Sequence, residues 1–247
     1  EERGMLKQGI DIHAHILPQT DDGSESWDES AKMMRIAASQ GFTHIIATPH
    51  FRQGQDIELL KNKVKQLNEN AVKMGLDLEI CLGQEILYFE EMLEYLQKGE
   101  ASVMADSDYV LVEFMPEDSF QRILRAVRQL IQSGYFPIIA HGERYQSLRK
   151  KGRLEELIQA GALIQMNYRS LEGSNFDRDV RWCRKQVLKG YIHFLGTDMH
   201  HARHRPPIIE DAEAWLRRHG GEALLNRLTR DNPQCIVYGQ MMQAVSE

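Results

Sequence analysis

A closed or nearly closed parallel α/β barrel is the fold this sequence predicts, and three observations predict it. Seven short apolar, β-branched runs alternate with longer amphipathic segments. Glycines at 41, 75, 134, 161 and 190 stand where helices must stop before a strand. No linker, repeat or composition break interrupts the 247 residues, and parallel neighbours need a crossover that is usually a helix. An open doubly wound sheet is the alternative that the pattern leaves. One domain over residues 10–247 follows, after an N-terminal extension of residues 1–9 in which residues 1–4, ahead of Met5, read as a cloning remnant.

The elements follow in order. The predicted strands are Ile10 to His13, His44 to Thr48, Leu78 to Glu85, Tyr109 to Phe114, Phe136 to His141, Leu163 to Asn167 and Ile192 to Thr197. Between them the apolar spacing turns helical over 26–40, 57–73, 90–97, 120–132, 154–159 and 177–189, and two further helices are expected near 208–218 and 222–228. The irregular stretches 17–25, 51–56, 143–151 and 200–207 all follow strands, so they would form one rim.

Composition narrows the function. Hydrophobic residues at 42% and charged residues at 27% describe an ordinary globular chain. The net charge of -6 supplies no basic field for nucleic acid, so an anionic substrate must be held locally. Cys81, Cys183 and Cys235 are far apart and form no Cys-x-x-Cys pair, which fits a reducing cytoplasm better than a disulfide framework or thiolate zinc. No apolar run reaches the ~18 residues of a membrane span, so no membrane insertion is expected.

Chemistry collects at the strand ends. His13 and His15 stand two apart at the end of the first strand, where alternate residues share a face and both imidazoles can reach one ion. His50, Glu85, Glu113, His141, and Asp198 with His200 end five more strands; only the sixth, ending near Asn167, offers no strong ligand. The C-terminal strand ends of a parallel barrel share one face. A carboxylate behind an apolar run such as Val110-Leu111-Val112 is costly to bury unpaired, and a cation removes that cost. Histidines and carboxylates together suit Zn, Mn or Fe in a multinuclear site. Asp21-Asp22-Gly23 by itself reads as a turn opening the first helix. Rim arginines suit bidentate grip of a phosphate: Arg144 first, then Arg205 in the stiff segment before Pro206-Pro207, then Arg52. Arg149 and Arg203 read as solvated, and Cys183 as packing. No Walker or dinucleotide loop, Gly-x-Ser-x-Gly or thiol-phosphatase signature is present.

The set Asp11-Ile12-His13-Ala14-His15, Asp21-Asp22-Gly23, Ala47-Thr48-Pro49-His50, Gly83-Gln84-Glu85, Val112-Glu113-Phe114, Ala140-His141-Gly142-Glu143-Arg144, Thr197-Asp198-Met199-His200 and Arg205-Pro206-Pro207 resembles the polymerase-and-histidinol-phosphatase (PHP) superfamily. Within it, the chain is most similar to bacterial metal-dependent protein tyrosine phosphatases of capsule and exopolysaccharide operons. That resemblance implies a distorted (β/α)7 TIM-like barrel, the PHP fold, with three divalent cations, manganese foremost and iron or zinc as substitutes. It implies one ion among His13, His15, Glu85 and Asp198, a second shared by Glu85, Glu113 and His141, and a third held by Asp22, His50 and His200. Asp22 thereby becomes a ligand, against its reading as a turn, and it favours the tyrosine-phosphatase branch over the histidinol phosphatases.

The expected chemistry is attack of a metal-activated hydroxide on phosphotyrosine, with charge neutralised by the metals, Arg144 and Arg205 and with Asp198 or His200 as proton donor. The expected partner is a phosphotyrosyl protein, the Tyr-rich tail of a bacterial tyrosine kinase. Three alternatives stand beside it: a histidinol-phosphatase-like phosphomonoesterase, a non-catalytic metal-binding docking module, and a PHP-type nuclease, which the acidic balance disfavours.

Overall fold

A computed structural model of the protein describes residues 6–242; the suspected cloning remnant at 1–4 lies outside them. Eight strands alternate with helices: β1 Gly9–Ala14, α1 Trp27–Ser39, β2 Phe42–Ala47, α2 Ile57–Lys73, β3 Glu79–Leu82, β4 Glu85–Leu87, α3 Met92–Lys98, β5 Tyr109–Glu113, α4 Phe120–Gln132, β6 Phe136–Ile139, α5 Arg153–Gln159, β7 Leu163–Asn167, α6 Arg178–Leu188, β8 Phe194–Gly196, α7 Glu210–Asn226 and α8 Asn232–Val237. All named strand pairs are parallel. Local chemistry sets the ends: Ser26, Asp56, Ser119 and Asp177 each accept backbone N–H bonds as helix N-caps.

The single third strand expected over 78–85 is two strands, β3 and β4, in sheets ordered β1-β2-β3 and β4-β5-β6-β7-β8. The break falls at Gly83-Gln84, where a Cβ on Gly83 would meet Met104 Sδ at 2.7 Å. Past the break, Glu85 N–H donates to Pro49 O (3.1 Å) and Phe51 N–H to Glu85 O (2.9 Å), so β4 also runs beside the extension of β2. The ring closes between first and last strands: Asp198 N–H donates to His13 O at 2.8 Å and His15 N–H to Met199 O at 2.9 Å. The two expected C-terminal helices are one, α7, bent at Gly221, where φ is 74°. Sequence reading gave no helix at α8, whose Pro233 occupies a first-turn position.

Two apolar layers result. Ile10, Ile12, Ile46, Leu111, Ile138 and Phe194 fill the barrel, and the outward residues, such as Ile45, Val110, Val112 and Ile139, pack under the helices. Among the described residues no helix is long and apolar enough to cross a membrane.

One half-buried histidine outside the rim makes stability depend on pH. His193 Nδ1 accepts the Ile164 N–H at 3.0 Å, and burial, then the charge of Arg227, push its pKa down to about 4. The unfolded value is near 6.5, so the unfolded chain binds more proton between these limits and stability falls as pH drops through that window. His193→Gln, which keeps an acceptor, is expected to flatten this fall by about 1–3 kcal/mol between pH 6.5 and 4. Urea midpoints across that range test it; equal slopes for both chains would refute it.

Candidate metal centre

Local backbone breaks aim the ligands. Ile10 and Ile12 point into the barrel, and strict alternation would then turn His13 outward. A register shift between Asp11 and Ala14 intervenes, so His13 and His15 face the mouth while Ala14 and Ile16 join the outer core; such shifts re-aim side chains. His141 at φ 33° and Asp198 at φ 52° are left-handed; the first turns inward against the alternation of β6, and the second stays on the face of Phe194. Their strain marks a functional position. Gly196 yields the space: a Cβ there would come 2.8 Å from His13 Cβ and 3.0 Å from Gln165 Nε2.

The buried Glu85 sits at the centre. Its Oε2 lies 3.2 Å from His13 Nε2, 3.1 Å from His15 Nε2 and 3.3 Å from His50 Nδ1, and its Oε1 lies 2.8 Å from His141 Nε2. Glu113 is 3.3 Å from His141 and 3.9 Å from His50. Asp22 Oδ1 is 3.5 Å from His50 and 3.6 Å from His200. Four sets of ligand atoms each lie within 4.8 Å of one another: His15, Asp22, His50 and His200; His13, His15 and Asp198; His13, Glu85 and His141; His50, Glu85 and Glu113. All nine sequence-predicted ligands therefore converge, and Glu113 lies beside both His141 and His50.

Asp198 faces two ways. Its Oδ1 lies 3.7, 3.5 and 3.6 Å from His13, His15 and His200. Its Oδ2 accepts from Arg144 at 2.9 Å, Arg205 at 2.6 Å and Asn167 Nδ2 at 2.9 Å. Arg52 stays outside this network: its side chain is exposed, and its backbone is tied to Gln55, N–H to Oε1 and O from the Gln55 N–H. Arg149, expected to be solvated, is instead part-buried, donating to Glu143 O and lying over Trp182.

Two residues escaped the sequence reading. Gln165 Oε1 accepts from His141 N–H (2.7 Å) and pairs with His13 Nδ1 (3.0 Å), and its Nε2 donates to Asn167 Oδ1 (2.9 Å). β7, the sixth strand expected from sequence, thus orients two histidines and Asp198 instead of ligating; its Gln-x-Asn spacing, two inward positions of one strand, was the available signal. Asp21 performs the turn, accepting Gly23 N–H at 3.0 Å, and also fixes His15 Nδ1 at 2.7 Å and His50 N–H at 2.9 Å. That leaves its neighbour Asp22 free to face the cluster.

The donor set fits divalent cations. Burial opposes charge on His15 and His141, yet the carboxylates around them, Asp21 and Glu85 for the first and Glu113 and Glu85 for the second, raise them to about 10 and about 9. The cage draws in positive charge, and hard or borderline cations answer that demand with nitrogen and oxygen ligands of this kind.

Fold and cluster define a class: parallel α/β barrels whose strand ends carry a histidine and carboxylate cage able to hold metal ions. Residues 9–238 match the family described as "Capsular polysaccharide synthesis, CpsB/CapC", and the chain belongs to that family. It is 32% identical over 242 residues to tyrosine-protein phosphatase CpsB of Streptococcus pneumoniae, covering 94% of this chain and all of that one. A solved structure from work on YwqE of Bacillus subtilis and CpsB of Streptococcus pneumoniae, described as unique metal-dependent tyrosine phosphatases, superposes with a TM-score of 0.87 at 31% identity, over 95% of this chain and 96% of that one. A histidinol phosphate phosphatase from Lactococcus lactis, at 17% identity and a TM-score of 0.52 over 90% and 94%, shares the fold.

Proposed function

We propose that the protein is a cytoplasmic, metal-dependent protein tyrosine phosphatase, with residues 10–247 as one catalytic unit, acting in capsular or exopolysaccharide synthesis on the Tyr-rich tail of a tyrosine kinase. The observation that carries this reading is the double engagement of Asp198, which sets two guanidiniums directly against a nine-residue cage. Family relatives named as tyrosine-protein phosphatases support it.

In this reading His13, His15, Asp22, His50, Glu85, Glu113, His141, Asp198 and His200 hold three divalent cations, manganese foremost. Such ions, when bound, acidify water and neutralise phosphoryl charge. Arg144 and Arg205 bind the non-bridging phosphoryl oxygens and stabilise the charge that develops there. Arg52, two residues beyond His50, is a third contact at the rim. Asp198 anchors the arginines through Oδ2, already accepting three donors, and His200 is held as a ligand, so neither is a ready proton source. A phenolate needs little such help.

Exposure favours a protein substrate over a small ester. The side chains of Asp22, Arg144 and His50 are 64%, 42% and 32% exposed, so this side of the cage opens to a large partner. The test is phosphate release by manganese-reconstituted protein from a phosphotyrosyl peptide and from histidinol phosphate, each with and without chelator. Chelator-sensitive turnover, at least about tenfold faster on the peptide in kcat/KM terms, is expected. Preference for histidinol phosphate would move the protein to the small-molecule branch, and no turnover with metals bound would leave a docking module or nuclease.

A further inference from the structure

The inward faces of β4 and β5 continue past their carboxylates. Leu87 follows Glu85 by two residues within β4 and shares its face, and Met115, two residues past Glu113 and just beyond the end of β5, is exposed where the intervening Phe114 is buried. Between them, Ile86 and Phe114 are buried and turn outward to the helices. Leu87 and Met115 are 43% and 46% exposed, and the strand register sets Leu87 directly beside Glu113. Behind them Phe51 stacks on Phe89, centroids 5.5 Å apart and planes 6° from parallel, and Tyr95 meets both rings edge-on. Phe51 N–H is bonded to Glu85 O, which ties this aromatic backing to the strand that carries the central ligand. Asp198, with its two arginines, lies three strands further round the ring from β5, at the end of β8.

The mouth is therefore polarised, with guanidiniums on one side and exposed apolar side chains on the other. Adjacent exposed apolar groups beside a polar cluster mark a ligand surface. A phosphoryl group held by the arginines and the cage projects its ester group toward the opposite wall. We propose that Leu87 and Met115 form the surface against which the aromatic ring of the phosphoester lies, so that they set selectivity for aryl over alkyl phosphates. The inference rests on the phosphatase reading above and adds its specificity-determining residues.

Kinetics of the manganese-loaded full chain with phenyl phosphate and ethyl phosphate test it, read as the ratio of kcat/KM for the two esters in each variant against wild type. Truncating both side chains, Leu87→Ala with Met115→Ala, is expected to lower the phenyl-to-ethyl ratio about tenfold, mainly through KM, the scale of losing apolar contacts in a binding site. Leu87→Met should retain the ratio. Both side chains are exposed, so their loss leaves the core packed. An equal fall on both esters, or an unchanged ratio, would overturn the proposal. Calorimetric binding of phenylphosphonate against methylphosphonate separates it from its parent. A wild type that hydrolyses neither ester yet prefers phenylphosphonate, with the preference lost in the double variant, keeps the wall and removes the phosphatase. A wild type that hydrolyses both and binds the two phosphonates equally does the reverse.

Discussion

Glu85→Gln is expected to lower turnover of a phosphotyrosyl peptide by about 10³-fold or more and to reduce the metal content per chain, because no other side chain touches as much of the cage. Losing an outer partner of a metal ligand typically costs about 10–100-fold, and Glu85 stands inside that layer, within 3.3 Å of four histidines. The amide keeps the size and removes the charge, so packing changes little. Without the carboxylate, His15 and His141 lose a neighbour that raises their proton affinity. The cage then attracts cations less strongly. Phosphate release and elemental analysis of the same preparation check both halves of the expectation; a full metal complement with undiminished turnover would show that Glu85 merely satisfies its histidines.

The arginines should separate binding of the ester from binding of metal. Arg205→Ala is expected to reduce kcat by about 10²–10³-fold, the usual loss for one charge-stabilising donor, while metal content stays at the wild-type level. Arg144→Ala should behave alike, and Arg144→Lys should recover little, since an ammonium cannot reproduce the planar fork of a guanidinium. The double replacement should cost less than the product of the single losses. Both guanidiniums bond the same oxygen, Oδ2 of Asp198, and residues sharing a partner do not act independently. Loss of metal in Arg205→Ala would mean that the arginine serves Asp198 and not the substrate.

The barrel and its ligands were legible for one reason: a parallel barrel converts a one-dimensional pattern into a shared face. His50, Glu85, Glu113 and His200 lie on the inward alternation of their strands, and counting by two finds them. His13 and His141 converge through a register shift and a left-handed residue, which periodicity does not reveal, although the residue types gave them away. Asp22 was invisible to local reasoning because a turn does explain Asp-Asp-Gly; Asp21 makes that turn, and its neighbour is thereby released. Gln165 went unseen because a neutral amide announces nothing until its two partners, 24 and 152 residues away, are placed around it. The division of the third strand escaped for a similar reason, since the close approach of Met104 to Gly83 is a contact across the fold.

The seam between β1 and β8 sets a timetable for synthesis. Thr197 N–H bonds to Asp11 Oδ1 across 186 residues of sequence, and Asp198 N–H reaches His13 O beside it. A ribosome adding about 5–20 residues each second delivers β8 roughly 10–40 s after β1. For that interval the first strand has β2 on one side and nothing from β8 on the other, with two imidazoles and Asp11 along its length. The ligand sets that include Asp198 or His200 therefore come together only after β8 has been made. A nascent chain stalled before residue 198 would lack Asp198 and His200 and the seam that closes the ring, so two of the four ligand sets would be incomplete.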